Sequence, residues 1–403
     1  MTSLRSVLSL VGATIMGRLS DSPRIGRKAC LYVGTGAAFI SLVLGVTMDN
    51  LSGLWWSMVP AALLQQNFSI LKAMLADYHD ANTVKRGGDV SSTSLSISGS
   101  VGKLGMSLGL AIMVGPLTGS VFVKTFNGAS YVGMFLVLVS AFFVSQIPDY
   151  SNSKIVLSSK DKEKSTSLIH KAARFIDVKS ARSRPAIFLI LIRVAMALAF
   201  HIFNTIWTVS LKSRFDFGPS DHGKFMSFIG LIYALSQGVL SKWILASVGR
   251  KGSVYVLQLC CVALGVGRYV AFQVESLLVV YIMFAFIVTA LGVVNTILSA
   301  DTSLIAPSSE IGGLYGVLMA AQSAAGMVGP LLGGSLAKIH PVNAPLGAVV
   351  CLYAFVFLMV LFGYKKNIYN CCTTESSDKQ ATAGKVNNEM QPTALNNLIK
   401  KEN

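Results

Sequence analysis

Apolar runs of about 20 residues, the length of a helix that crosses a bilayer, recur along this chain with short polar breaks between them. They fall at 3–20, 29–48, 52–76, 95–123 and 129–148, and then, after a polar stretch from Asp149 to Pro185, at 186–210, 223–246, 253–273, 276–300, 312–337 and 343–364. The pattern predicts eleven helical spans, five before the polar stretch and six after it. The expected organisation is an N-terminal bundle at 1–148, a cytoplasmic linker at 149–185, a C-terminal bundle at 186–364 and a disordered cytoplasmic tail at 365–403. Within the linker, 165–183 spaces Leu168, Ile169, Ala172, Phe175, Ile176 and Val178 as a helix would, among Lys and Arg. A helix lying on the membrane surface and a solvated linker both fit that spacing. The apolar start behind Met1 and Arg5 has the length of a signal peptide. It is read as a span because Gly17-Arg18-Leu19-Ser20-Asp21 closes it and recurs later in the chain.

That recurrence is part of an internal repeat. Gly17-Arg18-Leu19-Ser20 with Gly26-Arg27-Lys28 returns as Gly238-Val239-Leu240-Ser241 with Gly249-Arg250-Lys251, and Ala76-Asp77 returns as Ala300-Asp301. Gly102, Ala111, Gly115-Pro116 and Gly119-Ser120 return, at identical internal spacing, as Gly316, Ala325, Gly329-Pro330 and Gly333-Gly334. A common order at nearly constant offset makes the chain two related halves, the design of carriers that rock one bundle against another around a midplane site. Small residues let helices approach closely, and an intramembrane proline bends its helix.

Composition agrees with the pattern. At 53% hydrophobic and 13% charged residues, the chain is too apolar for a water-soluble domain of 403 residues. The net charge of +16 sits in short runs between apolar stretches, nine Lys or Arg of it in 149–185, which is the positive-inside pattern and not a nucleic-acid surface. The linker, the 21–28 and 247–252 turns and the tail are therefore expected in the cytoplasm, and the sequon Asn50-Leu51-Ser52 outside, close to the membrane. The six cysteines lack metal-ligand or disulfide spacing, and Cys371-Cys372 reads either as a palmitoylation site or as free thiols. There is no metal-ligand cluster, nucleotide loop or nucleophile motif, so neither an enzyme nor a cofactor is expected.

The turn from Gly17-x-Leu19-x-Asp21 to Gly26-Arg27-Lys28 resembles the signature after the second helix of major facilitator superfamily transporters, and Gly115-Pro116-x-x-Gly119-Ser120 is similar to the fifth-helix signature of that superfamily's antiporters. The resemblance implies an all-α membrane protein of the major facilitator fold, with two pseudo-symmetric six-helix bundles of which the first helix is missing. Pro185-Ala186-Ile187-Phe188-Leu189 and the run from Gly223 to Leu231 continuing to Ser236-Gln237-Gly238 resemble the organic cation transporter-like members of solute carrier family 22, as does Lys103-Leu104-Gly105. This implies a polyspecific carrier that exchanges organic cations for protons. Two departures are visible: Ser22-Pro23 is inserted between Asp21 and Gly26, and Val59 stands where many proton antiporters carry arginine.

Ionisable groups inside a span are costly, so each is a candidate for function. Arg193 and His201 lie in the 186–210 run with Asn204 and Trp207 on following turns. His201 reads equally as a proton carrier and as a histidine bonded to a neighbouring helix. Gln66 with Gln65 and Asn67, then Gln237, Asn295 and Gln322, are uncharged candidates for a cavity. Arg268 and Lys72 are placed to snorkel. By resemblance, Gly17, Asp21 and Arg27 with Lys103, Gly115, Pro116, Gly119, Gly329, Pro330 and Gly333 form the gates. Asp21 is expected to lock the bundles together against a helix N-terminus near Gly312 to Gly316, with Lys103 as an ion-pair partner. No acidic residue stands at mid-span, which leaves a cationic solute the faces of Trp207 and Tyr233. The expected partners are the lipid bilayer, a small organic solute and protons, with no nucleic acid. The alternative is a transport-inactive sensor or scaffold that works through its linker and tail.

Overall fold

The computed structural model describes residues 2–22, 25–48, 50–86, 90–121, 125–148, 178–306 and 310–369, and every regular element among them is helical. A chain this apolar must satisfy its backbone N–H and C=O groups internally, and the helix does so within each segment. The N-terminal half contains α1 (Thr2–Asp21), α2 (Gly26–Thr47), α3 (Leu51–Leu64), α4 (Asn67–Arg86), α5 (Val90–Val121) and α6 (Phe126–Gln146). A 3₁₀ turn at Lys179–Arg182 leads into α7 (Arg184–Phe215), followed by α8 (Pro219–Gly249), α9 (Gly252–Gln273), α10 (Leu277–Ile305), α11 (Ile311–Ile339) and α12 (Asn343–Ile368). Polar residues stop and start these helices. The Asn50 side chain accepts the Gly53 N–H at 2.7 Å, Thr125 accepts Gly128 at 3.2 Å, and Ser183 accepts Ala186 at 3.3 Å with Pro185 in the first turn.

Nine described helices are long and apolar enough to cross a membrane. The others are α1, which carries Arg5, Arg18 and Asp21, and the pair α3 and α4. That pair corrects the single span expected at 52–76. Pro60 lies inside α3, and at Gln65 and Gln66 the helix breaks before α4 begins. Polar side chains hold the break: the Gln66 amide donates to Ser9 Oγ at 3.1 Å, and the Gln66 carbonyl accepts the Ser69 and Ile70 N–H groups. Hydropathy misses it because the apolar residues on either side of the two glutamines keep a window average high. Together α3 and α4 occupy the stretch expected as one span. The surface-helix stretch up to residue 177, Cys371-Cys372 and the tail from 370 lie outside the described residues.

The side at which α6 ends and α7 begins is called here the linker side. There the Lys28 ammonium donates to the Ser145 and Ile147 carbonyls, both at 2.9 Å, and ties α2 to the end of α6. The C-terminal half has the larger core, centred on Phe203, Trp207, Phe225, Phe272 and Phe284, with the Trp207 and Phe284 rings 4.7 Å apart. The N-terminal half packs a smaller core of Met16, Cys30, Leu31, Ile70 and Val144. Large apolar side chains such as Phe142, Phe143, Tyr255, Leu259 and Phe362 stay exposed on the outer faces, as lipid contact requires.

The halves meet along two seams, α1 against α11 and α5 against α8. Both are lined by glycines. A Cβ on Gly17 would lie 2.7 Å from the Gly312 carbonyl oxygen and 2.8 Å from Gly316 Cα, and one on Gly109 would lie 2.5 Å from the Ala234 nitrogen. The seams therefore bring backbone onto backbone, a closeness only residues without side chains permit.

Candidate functional site

The linker-side end of the first seam is a latch. Asp21 ends α1 and its carboxylate accepts the N–H groups of Gly312 at 3.0 Å and Gly313 at 2.6 Å, the first turn of α11. Those N–H groups have no partner inside their own helix and carry its positive dipole end, so a carboxylate is the group they favour. Arg27 stands behind Asp21, with one nitrogen 3.4 Å from it and the other 2.5 Å from Asp77. Gly26 makes the turn that sets Arg27 in place, at φ +74°, and its repeat mate Gly249 turns at φ +68°. The repeated Gly-Arg-Lys thus marks one backbone conformation used twice, since φ in this range suits glycine. The Gly26 N–H reaches the Ser22 carbonyl at 2.9 Å.

A second tether lies beside the latch. Glu310, just before α11, accepts the Ser180 N–H at 2.8 Å and the Ser180 hydroxyl at 2.5 Å. Burial alone would raise the Glu310 carboxyl, but these bonds, with Arg18 and Lys179 nearby, hold it below the usual glutamate range. A depressed carboxyl contributes its stability above its unfolded-state pKa and loses it as pH falls through the folded one. The protection factor of the Ser180 amide in hydrogen exchange is therefore expected to be constant near neutrality and to drop in acid. Glu310→Gln should lower it near neutrality and abolish the drop in acid; an unchanged factor in that variant would show that the tether does not order the turn.

Deeper in the bundle a polar cluster spans the halves. Arg193 of α7 is 7% exposed, and it donates to Asn295 Oδ1 at 3.3 Å and to Ser299 Oγ at 3.0 Å, both on α10. Asn295 donates in turn to the Tyr233 hydroxyl of α8 at 3.1 Å. From the other half, Lys72 of α4 donates to the same Ser299 Oγ at 3.2 Å and lies over the Phe68 ring, 4.6 Å from its centroid. Tyr315 of α11 closes the group by donating to the Ser299 carbonyl at 2.8 Å. Arg193 is nine residues into α7, about 14 Å at 1.5 Å per residue, which is near the middle of a hydrocarbon layer about 30 Å thick.

Sharing one hydroxyl puts the two cationic nitrogens within about 6 Å of each other, where like charges repel by about 3 kcal/mol at an effective dielectric of about 20. Among the described residues no carboxylate pairs with either. Asp77 is held by Arg27, and Asp301 accepts the Tyr364 hydroxyl.

Residues 1–330 match the family model of the Major Facilitator Superfamily. The chain belongs to that superfamily. Among solved structures, the human organic anion transporter MFSD10 (TETRAN) is similar in fold, with a TM-score of 0.74 and 18% identity over 89% of this chain and 82% of that one. A comparison with curated proteins finds no match. Membership makes this chain an integral, multi-pass membrane transport protein of the major facilitator fold.

The residues singled out from the sequence divide within this Major Facilitator chain. Arg193 and Asn295 are at the heart of the cluster, and Gln237 adjoins Tyr233 while filling the space that Gly105 leaves open. His201, half-buried, faces Gly326 and Gly329 of α11; Asn204 is exposed and Gln322 partly buried, and no hydrogen bond among the described residues joins these three to the cluster. Gln66 belongs to the α3–α4 break. Trp207, expected as a face for a cation, is 3% exposed inside the aromatic core, because four phenylalanines stack around it. Arg268 does not snorkel. It is 2% exposed, bonded to the Leu264 carbonyl at 3.0 Å and stacked on Phe203 and Tyr353. Lys72 does not snorkel either, since Ser299 draws it inward.

The gating residues divide as well. Gly17, Asp21 and Arg27 build the latch, whereas Lys103 makes no pair with Asp21: it is exposed in a linker-side cleft of about 500 Å³ with Leu71 and Met74. Gly329 and Gly333, with Pro330 between them, pack α11 against His201 and Ile202 of α7, within one half. A Cβ on Gly115 or Gly119, on either side of Pro116 in α5, would meet nothing within 4 Å, so neither packs against another described helix. Sequence reasoning missed Ser299 and Tyr315, whose residue types carry no signal, and it undervalued Lys72, which is detectable as a lone charge within a predicted span.

Proposed function

We propose that this chain carries small organic solutes across the bilayer by alternating access, with the solute held at the Arg193 cluster between the halves. The observation that carries the reading is a midplane polar cluster built from both halves directly above a closable latch. When the halves separate on the linker side, Asp21 leaves the α11 N-terminus and Lys72 leaves Ser299, so gate and site open in one movement. The positive-inside pattern supports the linker side as cytoplasmic. Exchange of organic cations for protons has the family 22 resemblance behind it, with His201 as the titratable group; the charge at the cluster does not favour that solute.

The test is a reversible clamp. An added Cβ on Gly312 would abut both the Ser20 hydroxyl and the Asp21 carboxylate, so a Ser20→Cys/Gly312→Cys pair displaces the Asp21 latch when reduced and bridges the halves when oxidised. In proteoliposomes supplied with a panel of labelled solutes, saturable uptake by the reduced protein is expected to fall at least about tenfold on oxidation and to return on reduction. Uptake indifferent to the cross-link, or no saturable uptake of any solute, would sink the carrier reading.

A further inference from the structure

Resting on the carrier reading, we propose that the transported solute is a small organic anion, whose charged group binds between Lys72 and Arg193. Donors and positive charge exceed acceptors at this cluster. Ser299 Oγ receives a bond from each cation, which occupies its acceptor capacity and leaves its own proton to donate. The Arg193 Nε–H is buried and has no partner among the described residues. The Lys72 ammonium has three N–H groups, of which the described residues engage one in a hydrogen bond. The cluster is thus rich in donors and in positive charge and short of acceptors, and the group that completes it is an acceptor-rich anion.

Contrast with the other buried arginines sharpens this. Arg27 is neutralised by Asp21 and Asp77. Arg268, whose Nε–H also has no partner among the described residues, lies inside one half, donates to the Leu264 carbonyl and rests on the faces of two aromatic rings that supply negative potential, with no second cation beside it. Only at Ser299 do two cations from opposite halves converge with no acid between them among the described residues. Arginine's planar fork fits the two oxygens of a carboxylate and lysine adds a point charge, while Phe68 and Tyr315 beside Lys72 offer apolar surface to an organic body. A cationic solute would instead bring a third positive charge to the same point.

The seat of the anion also links it to the gate. Lys72 reaches Ser299 only while the halves are together, and repulsion between Lys72 and Arg193 opposes that approach. An anion between them removes the repulsion, so the loaded carrier closes more readily than the empty one.

The experiment uses the purified full chain, with thermal unfolding followed against benzoate, succinate, tetraethylammonium and sodium chloride, in parallel with uptake of the same organic ions into liposomes. A carboxylate is expected to raise Tm and to be taken up, with tetraethylammonium and chloride doing neither. Lys72→Gln and Arg193→Gln should each weaken the carboxylate effect by at least about tenfold, as loss of one buried charge partner does, and the exposed Lys224→Gln should leave it intact. Stabilisation by tetraethylammonium alone, or by chloride alone, or a carboxylate effect unchanged in both cluster variants, would overturn the proposal. Should either variant fail to fold, the ranking of ligands on the unaltered chain decides. Carboxylate binding without uptake would remove the carrier reading and keep the site, whereas saturable uptake confined to cations would keep the carrier and remove the site.

Discussion

Asp21→Asn is expected to shift the protein about ten- to a hundredfold toward conformations open on the linker side. The native carboxylate holds two N–H groups of α11 across the seam, at 3.0 and 2.6 Å, with only 3% of its side chain exposed. Hydrogen bonds to a buried charge are worth about 1.5–3 kcal/mol, and asparagine keeps the shape while giving up the charge and half of the acceptor capacity. Arg27 retains Asp77 at 2.5 Å, so the substitution strands no arginine and the fold should survive. Spin labels on Ile25 and Lys179, exposed on opposite sides of the seam, would report a longer and broader distance distribution. An unchanged distribution would mean that the glycine packing alone holds the seam.

Gly316→Val tests that packing. A Cβ at position 316 would lie 2.6 Å from the Ala13 carbonyl oxygen and 3.1 Å from Gly17 Cα. Both are backbone atoms of the opposite half, so no side chain can swing aside and relief comes only from parting α1 and α11. Overpacking of this kind costs about 1–3 kcal/mol, and the variant should unfold at lower temperature and transport at least about tenfold more slowly. Gly334→Ala, in the same helix, is the control. Its Cβ would meet nothing within 4 Å, and alanine is the better helix former by up to about 1 kcal/mol, so stability should hold or rise slightly. If both variants behave alike, the Gly316 contact is not what keeps the halves together.

Legibility of the fold followed from how many residues wrote each feature. A span is declared by about 20 residues at once, so most were readable to within a few positions, and the repeat by three motifs in common order. The α3–α4 break was hidden because Pro60 and two glutamines barely shift an average over such a window. Asp21 at a helix N-terminus was legible through resemblance, because the motif ends α1 on a carboxylate that two backbone N–H groups of α11 reach. Lys103 was misassigned as its partner because neighbourhood in a family pattern does not set a rotamer, and Arg27 was already in place.

By itself, then, the sequence determined the solvent of the chain, its division into two halves and the points where backbones must touch, because lipid and close packing constrain residue type wherever they act. Which polar groups meet was decided only by tertiary structure. Lys72 and Arg193 are 121 residues apart on helices of different halves, and neither the charge of one nor the spacing around the other implies that both reach one serine hydroxyl. Burial gives that meeting its weight, since two cations that water would screen at a surface have, near mid-membrane, no counter-charge among the described residues.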